Sequence, residues 1–281
     1  MIIKMKIKAR YFAVILLWLL TNLCSFSDLY AINPQRNYVA FPDVIGVPYK
    51  NHKIKVDENV SLNSWICLQE DNKKPYIIIS GSDAGNMANN LGQAQALYHA
   101  GYNVVLYDYR GFGESSDFEI NPDMLYYNEF GKDLRAVIAF VRNNYKADNI
   151  FLYGLSMGTM VSRMNLSNDS AIKGLILDSF VINPSLVKER IFKAKNRALV
   201  LPEGAEGYAK SNEQPLRKPV LIFSGLQDMF TKTDDYNVFL EKNPSAKIVT
   251  WHCNHLECFT SMSTDSDLYV GEINTFIAKT I

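Results

Sequence analysis

A serine flanked by glycines is the pattern in this sequence that most directly suggests chemistry. Residues 154–158 read Gly-Leu-Ser-Met-Gly; they follow the apolar run 150–153 and precede a stretch that can form a helix. A serine on a sharp turn between a strand and a helix needs small residues two positions before and two positions after it, where the chain passes close to itself. The spacing therefore predicts a nucleophile at Ser156, with an ordinary glycine-rich turn as the alternative.

A nucleophilic serine needs a histidine to accept its proton, and the sequence has four histidines. His52 precedes the predicted parallel strands and His99 ends a predicted helix, whereas His252 and His255 both follow the last predicted strand. Asn254 tolerates the left-handed backbone that would present the next side chain to a site. We predict His255 as the general base, and His252 is the alternative.

The histidine needs a carboxylate that orients and stabilises it. In folds that place such a serine between a strand and a helix, the serine comes first in the chain, the acid second and the histidine third. The acid follows the penultimate strand of the core. Asp228 lies just beyond the predicted strand 219–224 and fits this position, while Asp178, which also ends a predicted parallel strand, is the alternative. We predict a catalytic set of Ser156, Asp228 and His255.

Acyl transfer also requires two N–H donors for the oxygen that becomes negatively charged. One donor would be the amide of Met157, the residue after the nucleophile. The other would come from the loop 81–86, which follows the predicted strand 76–80 and contains two glycines. We predict the amide of Ser82, with Asp83 as second choice and a plain turn as the alternative.

The elements that would position these residues alternate along the chain. A β-rich region at about 38–69 predicts an antiparallel edge, and after it strands and helices follow one another. The helix near 125–144 has an apolar face at three- and four-residue steps, formed by Phe130, Leu134, Val137, Ile138 and Val141. We predict an α/β fold with a mostly parallel central sheet and helices on both faces. The predicted parallel strands are 76–80, 103–108, 149–155, 173–178, 219–224 and 247–251, and the other predicted helices are 87–100, 158–166, 186–198, 234–242 and 268–278.

The segment 180–217 breaks this alternation with three prolines, two glycines and one predicted helix. Insertions at the carboxyl ends of sheet strands commonly cover a site and select its substrate. We predict a lid or cap insertion, and a surface excursion with one docked helix is the alternative.

The first residues differ in composition from the rest of the chain. Four basic residues precede the apolar run 11–20, and small residues that could form a cleavage site follow it. This pattern predicts a signal peptide over residues 1–27 and therefore an exported protein. The hydrolase domain would then comprise residues 32–281. An uncleaved N-terminal anchor is the alternative, although the apolar run is shorter than a bilayer span requires.

Charge and composition narrow the classes of partner. The chain has 48% apolar and 21% charged residues, and 25 basic against 29 acidic residues remain outside residues 1–27. No basic patch indicates nucleic acid, and membrane contact is expected only through the N-terminal segment. A small-molecule or acyl substrate is the expected partner, and the predicted chemistry requires no cofactor.

Three cysteines lie outside the predicted leader: Cys67, Cys253 and Cys258. Cys253 and Cys258 flank His255, but no second pair stands at zinc-ligand spacing. A local disulfide or buried thiols are therefore favoured over a metal site.

Residues 108–115 read Asp-Tyr-Arg-Gly-Phe-Gly-Glu-Ser, and with the loop 81–86 they resemble segments of the α/β-hydrolase superfamily, in particular its small lidded serine hydrolases. The resemblance covers nearly the whole chain after the leader, and it implies that Asp108 and Arg110 organise the loop beneath the site. Two positions depart from the pattern, Ser80 in place of histidine and Asn254 in place of glycine. The expected function is hydrolysis of carboxylic esters or thioesters through an acyl-enzyme. The alternatives are a serine peptidase and a non-catalytic binding protein on the same fold.

Overall fold

Eight strands form one sheet in the computed structural model, which describes residues 31–71, 73–263 and 267–281. The sheet order is β8-β7-β6-β5-β3-β4-β2-β1, in which β1 and β2 form an antiparallel edge and the other strands are parallel. This arrangement confirms the predicted mostly parallel sheet and its antiparallel edge. The strands are β1 Lys50–Lys55, β2 Ser61–Cys67, β3 Tyr76–Ser80, β4 Asn103–Tyr107, β5 Ile150–Leu155, β6 Ile172–Asp178, β7 Val220–Gly225 and β8 Lys247–Trp251.

The register brings the carboxyl ends of the central strands to one level. Ser80 is aligned with Gly154, and Leu155 is aligned with Asp178. On the far side of β6, Gly225 is aligned with Trp251. Because parallel strands end at the same edge, the loops that follow β3, β5, β6, β7 and β8 meet there.

Helices cover both faces of the sheet, as predicted. They are α1 Leu91–His99, α2 Asn128–Tyr145, α3 Met157–Met164, α4 Pro184–Lys195, α5 Ala205–Ser211, α6 Asn237–Lys242, α7 Cys258–Ser263 and α8 Leu268–Thr280. One face of the sheet packs on α2 and α3 through residues such as Phe130, Val137 and Met160. The other face packs on α1 and α8 through Leu97 and Ile273, among others. The central parallel strands β3 to β7 are buried on both sides, which explains their nearly continuous apolar sequences.

Two short helices differ from the sequence prediction. The segment 180–217 holds α5 in addition to the single helix predicted there, because Gly204, with a φ of 87°, caps the start of α5 rather than ending a helix. The prediction also missed α7, which is six residues long and carries no clear apolar periodicity. Short elements of this kind are set by tertiary contacts more than by local sequence.

The segment 180–217 packs against the body of the protein at both of its helices. Arg163 of α3 donates to the Ser211 carbonyl of α5 at 3.1 Å, and Arg190 of α4 forms an ion pair of 2.5 Å with Asp235, beyond β7. The predicted leader, residues 1–27, lies outside the described residues. Within the described ranges, no helix combines the length and apolar character needed to cross a membrane.

Candidate active site

The turn between β5 and α3 holds Ser156 in an unusual backbone conformation, with φ 50° and ψ −115°. Positive φ is costly for a residue with a side chain, so the surroundings must enforce it. A Cβ at Gly154 would collide with the Gly158 carbonyl oxygen, and a Cβ at Gly158 would collide with the Ser80 carbonyl oxygen. Both glycines of the pentapeptide are therefore required sterically, and they present the serine at the sheet edge.

Two hydrogen bonds connect the three predicted side chains. The Ser156 hydroxyl lies 2.7 Å from Nε2 of His255, and Nδ1 of His255 lies 2.7 Å from Oδ2 of Asp228. The Asp228 side chain is fully buried, whereas that of His255 is 23% exposed. The structure thus places a hydroxyl, an imidazole and a carboxylate that are remote in the chain in one hydrogen-bonded series. Of the His255 and Asp228 side chains, only the imidazole reaches solvent.

The loop after β7 fixes the Asp228 carboxylate. Oδ1 accepts hydrogen bonds from the backbone N–H groups of Phe230 at 2.8 Å and Thr231 at 3.0 Å, and Oδ2 accepts from the Thr231 hydroxyl. Burial acts to raise the pKa of Asp228, but the contact with His255 and the donors of Thr231 outweigh it, so the pKa lies below its usual value. Asp228 is therefore ionised at neutral pH and can stabilise a protonated imidazole.

The pKa of His255 is shifted in the opposite direction. Burial acts to lower it, but the hydrogen bond and charge of Asp228, followed by the charges of Asp83 and Asp178, outweigh burial and raise the pKa above its usual value. The Phe230 ring meets the imidazole edge to face at a centroid distance of 5.7 Å. Three carboxylates therefore favour the imidazolium that a general base becomes when it accepts a proton.

The alternative acid, Asp178, belongs to a different network. Its Oδ2 accepts a hydrogen bond of 2.7 Å from the Tyr269 hydroxyl, and burial raises its pKa to about 6. The Tyr269 hydroxyl also lies 2.7 Å from that of Tyr153. The backbone of Asp178 contributes to the serine turn, since its carbonyl accepts from the Ser156 N–H at 3.0 Å. Asp178 therefore holds the backbone of the serine turn, and its carboxylate forms no hydrogen bond with the imidazole.

The other histidines lie away from the serine. His252, the alternative base, is exposed. Nε2 of His52 lies 2.8 Å from the Tyr145 hydroxyl, and His99 ends α1. Of the four histidines, His255 alone is hydrogen-bonded to Ser156 within the described part of the chain.

The loop that carries His255 is held by polar contacts on both sides. The Leu256 N–H donates to the Ser179 hydroxyl at 2.9 Å, and Ser179 has a positive φ of 56°. The Asn254 N–H and side-chain amide both donate to the Glu257 carboxylate, at 2.9 and 3.0 Å. These contacts fix the backbone on either side of the imidazole.

The two predicted amide donors, Met157 and Ser82, lie next to a tight contact between the backbones of Gly158 and Gly81. Met157 is the first residue of α3, so its N–H is among those that a helix leaves without an internal partner. Ser82 follows Gly81, whose carbonyl oxygen lies against Gly158 in the same helix turn. The Tyr109 hydroxyl donates to the Gly81 carbonyl at 2.9 Å and fixes this loop.

The segment 108–115 organises the region beneath the loop. Oδ1 of Asp108 accepts from the Met87 N–H at 2.7 Å, and burial raises the pKa of Asp108 to about 7. Arg110 forms a buried ion pair of 2.6 Å with Asp133 of α2. These contacts connect the segment to Met87, which directly follows the loop 81–86, and to helix α2.

The sequence did not indicate the roles that three residues, Thr231, Ser179 and Asp83, have near the site. Thr231 has a recognisable signal, because an Asp followed three residues later by Thr is typical of a side-chain-capped turn. Ser179 and the charge of Asp83 have no such local signal. Their positions follow from strands and loops that meet only in the folded chain.

Comparisons with known proteins agree with this architecture. The family model described as "Serine aminopeptidase, S33" matches residues 81–203, less than half of the chain. Protein bem46 of Schizosaccharomyces pombe is 24% identical over 69% of this chain and 65% of its own length, slightly under two thirds. The uncharacterized membrane protein YNL320W of Saccharomyces cerevisiae is 26% identical over 75% of this chain and 74% of that protein. Esterase Pf2001 of Pyrococcus furiosus, at 22% identity, covers 89% of this chain and 97% of that chain with a TM-score of 0.71.

The strand order and the helices on both faces define an α/β-hydrolase fold. This fold agrees with the resemblance of the segments 81–86 and 108–115 to the α/β-hydrolase superfamily. The match to the family model further supports a hydrolase.

Proposed function

We propose that this protein is a serine hydrolase that cleaves carboxylic ester or thioester bonds through an acyl-enzyme on Ser156. The observation that carries the proposal is the pair of 2.7 Å contacts from the Ser156 hydroxyl through the imidazole to Asp228. A serine hydroxyl is a weak nucleophile at neutral pH, and this arrangement is the one that activates it.

In the acylation step, Nε2 of His255 accepts the hydroxyl proton while Oγ of Ser156 attacks the carbonyl carbon of the substrate. The resulting imidazolium is stabilised by the ionised Asp228 carboxylate. The carbonyl oxygen becomes an oxyanion, and the amides of Met157 and Ser82 are its proposed donors. When the tetrahedral intermediate collapses, the alcohol or thiol leaves with the proton from Nε2.

In the deacylation step, water takes the place of the leaving group. His255 removes a proton from water as the water oxygen attacks the acyl carbon. When this second tetrahedral intermediate collapses, the bond to Oγ breaks, His255 returns the proton to Oγ, and the carboxylic acid leaves. Both steps use residues of this chain alone. The partly exposed imidazole gives water access to the position at which it must react.

A serine peptidase is the second candidate, and the description of the matching family favours it. The chemistry at Ser156 would be the same, but the leaving group would be an amine. A non-catalytic binding protein on this fold is the third candidate. The activated geometry of the serine argues against it, because a binding protein has no need of a strained hydroxyl aligned with an imidazole.

The purified chain and its Ser156→Ala variant, assayed side by side, test the proposal. A panel of acyl esters of increasing chain length, acyl thioesters and aminoacyl-arylamides would be compared at neutral pH. We expect turnover of esters or thioesters that falls by at least about 10³-fold in the variant, with unchanged circular dichroism. Turnover of arylamides alone would favour the peptidase, and equal ester turnover in both chains would contradict the assignment of Ser156.

We also propose that the segment 180–217 acts as a cap that selects the substrate. The support is its contact with the acid loop, since Arg190 of α4 donates to the Phe230 carbonyl at 2.8 Å and Phe230 touches His255. Export of the protein remains a proposal from the composition of residues 1–27. An N-terminal anchor is the alternative, and a fractionation experiment with an antibody against the domain would separate the two.

A further inference from the structure

Two thiols lie almost in bonding contact beside the proposed general base. Sγ of Cys253 is 3.2 Å from Sγ of Cys258, about 1 Å longer than the roughly 2.05 Å of a disulfide bond. Both residues are buried, with exposed fractions of 2% and 0%. The remaining cysteine of the described residues, Cys67, is also buried but lies in β2, on the antiparallel edge of the sheet.

The loop between the two thiols is already shaped to bring them together. The backbone of Cys253 is tied to the neighbouring loop, because its carbonyl accepts from the Gln227 N–H at 3.1 Å and its N–H donates to Trp251 at 2.9 Å. Cys258 is the first residue of α7, which fixes its direction. Between them, Leu256 has a positive φ of 61°, and this turn returns the chain towards Cys253. The contact is therefore a product of the loop's backbone and not of freely rotating side chains.

We propose that Cys253 and Cys258 form an intramolecular disulfide that closes the loop carrying His255. The oxidant is a disulfide reagent of the dithiol-oxidoreductase or oxidised-glutathione class. The thiolate of one cysteine attacks a sulfur of the reagent to give a mixed disulfide and release one reagent thiol, and the second thiolate then displaces the other. The two cysteine sulfurs are oxidised and the reagent disulfide is reduced to two thiols, which take up, through solvent, the two protons that the cysteine thiols lose.

The bond forms during folding rather than in the folded protein. Burial raises the pKa of both thiols above its usual value, so the folded chain holds few thiolates to react. An oxidising compartment, such as the predicted leader implies, would supply the reagent while the loop is still open. Cys67, whose pKa burial raises to about 12 and which has no sulfur within reach among the described residues, is expected to remain a thiol.

Closing the bond is compatible with the active arrangement. The thiols are in contact in the same structure in which the imidazole lies 2.7 Å from the Ser156 hydroxyl. The bond therefore requires only a small movement of two side chains. We expect it to raise thermal stability and to leave the rate of the chemical step unchanged at low temperature.

Peptide mapping of the full chain tests the proposal directly. The chain would be produced in an oxidising bacterial compartment, denatured in an excess of alkylating reagent, digested and analysed by mass spectrometry. We expect a linked Cys253–Cys258 fragment, lighter than the dithiol by two hydrogen atoms, and an alkylated Cys67. Alkylation of both Cys253 and Cys258, or a bond from either one to another cysteine, would overturn the proposal.

A thermal measurement supplies an independent check with matched variants. Dithiothreitol should lower Tm by on the order of 5 °C in the oxidised wild-type chain and in Cys67→Ser. Cys253→Ser and Cys258→Ser should each lose that response. A response that survives in either of these two variants would contradict the proposal, and if neither variant folds, the mapping of the wild-type chain decides the question. The outcome is independent of whether Ser156 is a nucleophile.

Discussion

The serine turn and the histidine loop meet at one hydrogen bond, yet they are held in different ways. Backbone atoms enclose the serine turn so closely that no Cβ can be placed at Gly154 or Gly158. The histidine loop depends instead on side chains, among them the Ser179 hydroxyl and the Glu257 carboxylate.

The difference shows what determines the positions of Ser156 and His255, the two partners of the proposed proton transfer. Ser156, the proposed nucleophile, is fixed by steric exclusion within a few residues, and a local sequence pattern indicates it. His255, the proposed base, is fixed by hydrogen bonds from three separate loops and by the charges around it. We therefore expect changes to the turn to affect folding first and changes around the histidine to affect catalysis first.

The largest effect is expected from removing the base. His255→Ala should lower kcat by about 10³-fold or more, because among the described residues no other side chain is hydrogen-bonded to the Ser156 hydroxyl, while Tm should change little. The matched control is His252→Ala, which removes an exposed imidazole three residues away and should leave kcat unchanged. Comparable losses of kcat in both variants would show that the general base is misassigned.

A smaller effect, and one on folding rather than chemistry, is expected at the serine turn. In Gly158→Ala the new methyl group would meet the backbone oxygens of Ser80 and Gly81, which cannot move without disturbing β3. We expect a loss of about 3 kcal/mol in the free energy of unfolding, measured by urea denaturation.

The control for this change is Gly207→Ala, in helix α5. A Cβ there meets nothing within 4 Å, so alanine should stabilise the helix by about 0.5–1 kcal/mol. Equal free energies of unfolding for the two variants would mean that the turn is not held by steric exclusion.

The smallest effect is expected in the pH dependence of kcat/KM. His255 must be neutral to accept a proton, so activity falls as pH drops through its pKa. That pKa is raised, and the acid limb should therefore lie above the value of about 6.5 of an unperturbed histidine. Asp83→Asn removes one of the charges that raise it, and the limb should move to lower pH.

The control for this shift is Glu70→Gln, an exposed carboxylate beyond the end of the antiparallel strand β2, at the opposite edge of the sheet. The limb should stay in place in this variant. An unmoved limb in Asp83→Asn would indicate that the charge of Asp83 does not reach the imidazole.

Sequence reasoning predicted the parts of the molecule that depend on periodic or local patterns. Runs of apolar residues predicted the parallel strands, and an apolar face with helical spacing predicted α2. Ser156 and its glycines belong to this class, and the chain order of acid and histidine follows from the fold type. The α/β-hydrolase fold was therefore predictable from the sequence.

Features that depend on long-range contacts could not be predicted. The role of Ser179 in holding Leu256 requires knowing that the loops after β6 and β8 touch. The partnership of Asp178 with Tyr269 requires the packing of α8 under the sheet. The sequence left a local disulfide and buried thiols both open at Cys253 and Cys258, and the approach of their sulfurs depends on the turn at Leu256.

The central claim is that the imidazole activates the Ser156 hydroxyl in the folded protein. Labelling with a fluorophosphonate reagent, followed by peptide mapping, measures that activation without knowledge of the substrate. The claim predicts one adduct per chain, on Ser156, in the wild-type protein and in His252→Ala, and a much slower reaction in His255→Ala. Absence of an adduct on Ser156 in the folded wild-type chain, or labelling of equal rate in His255→Ala, would contradict it.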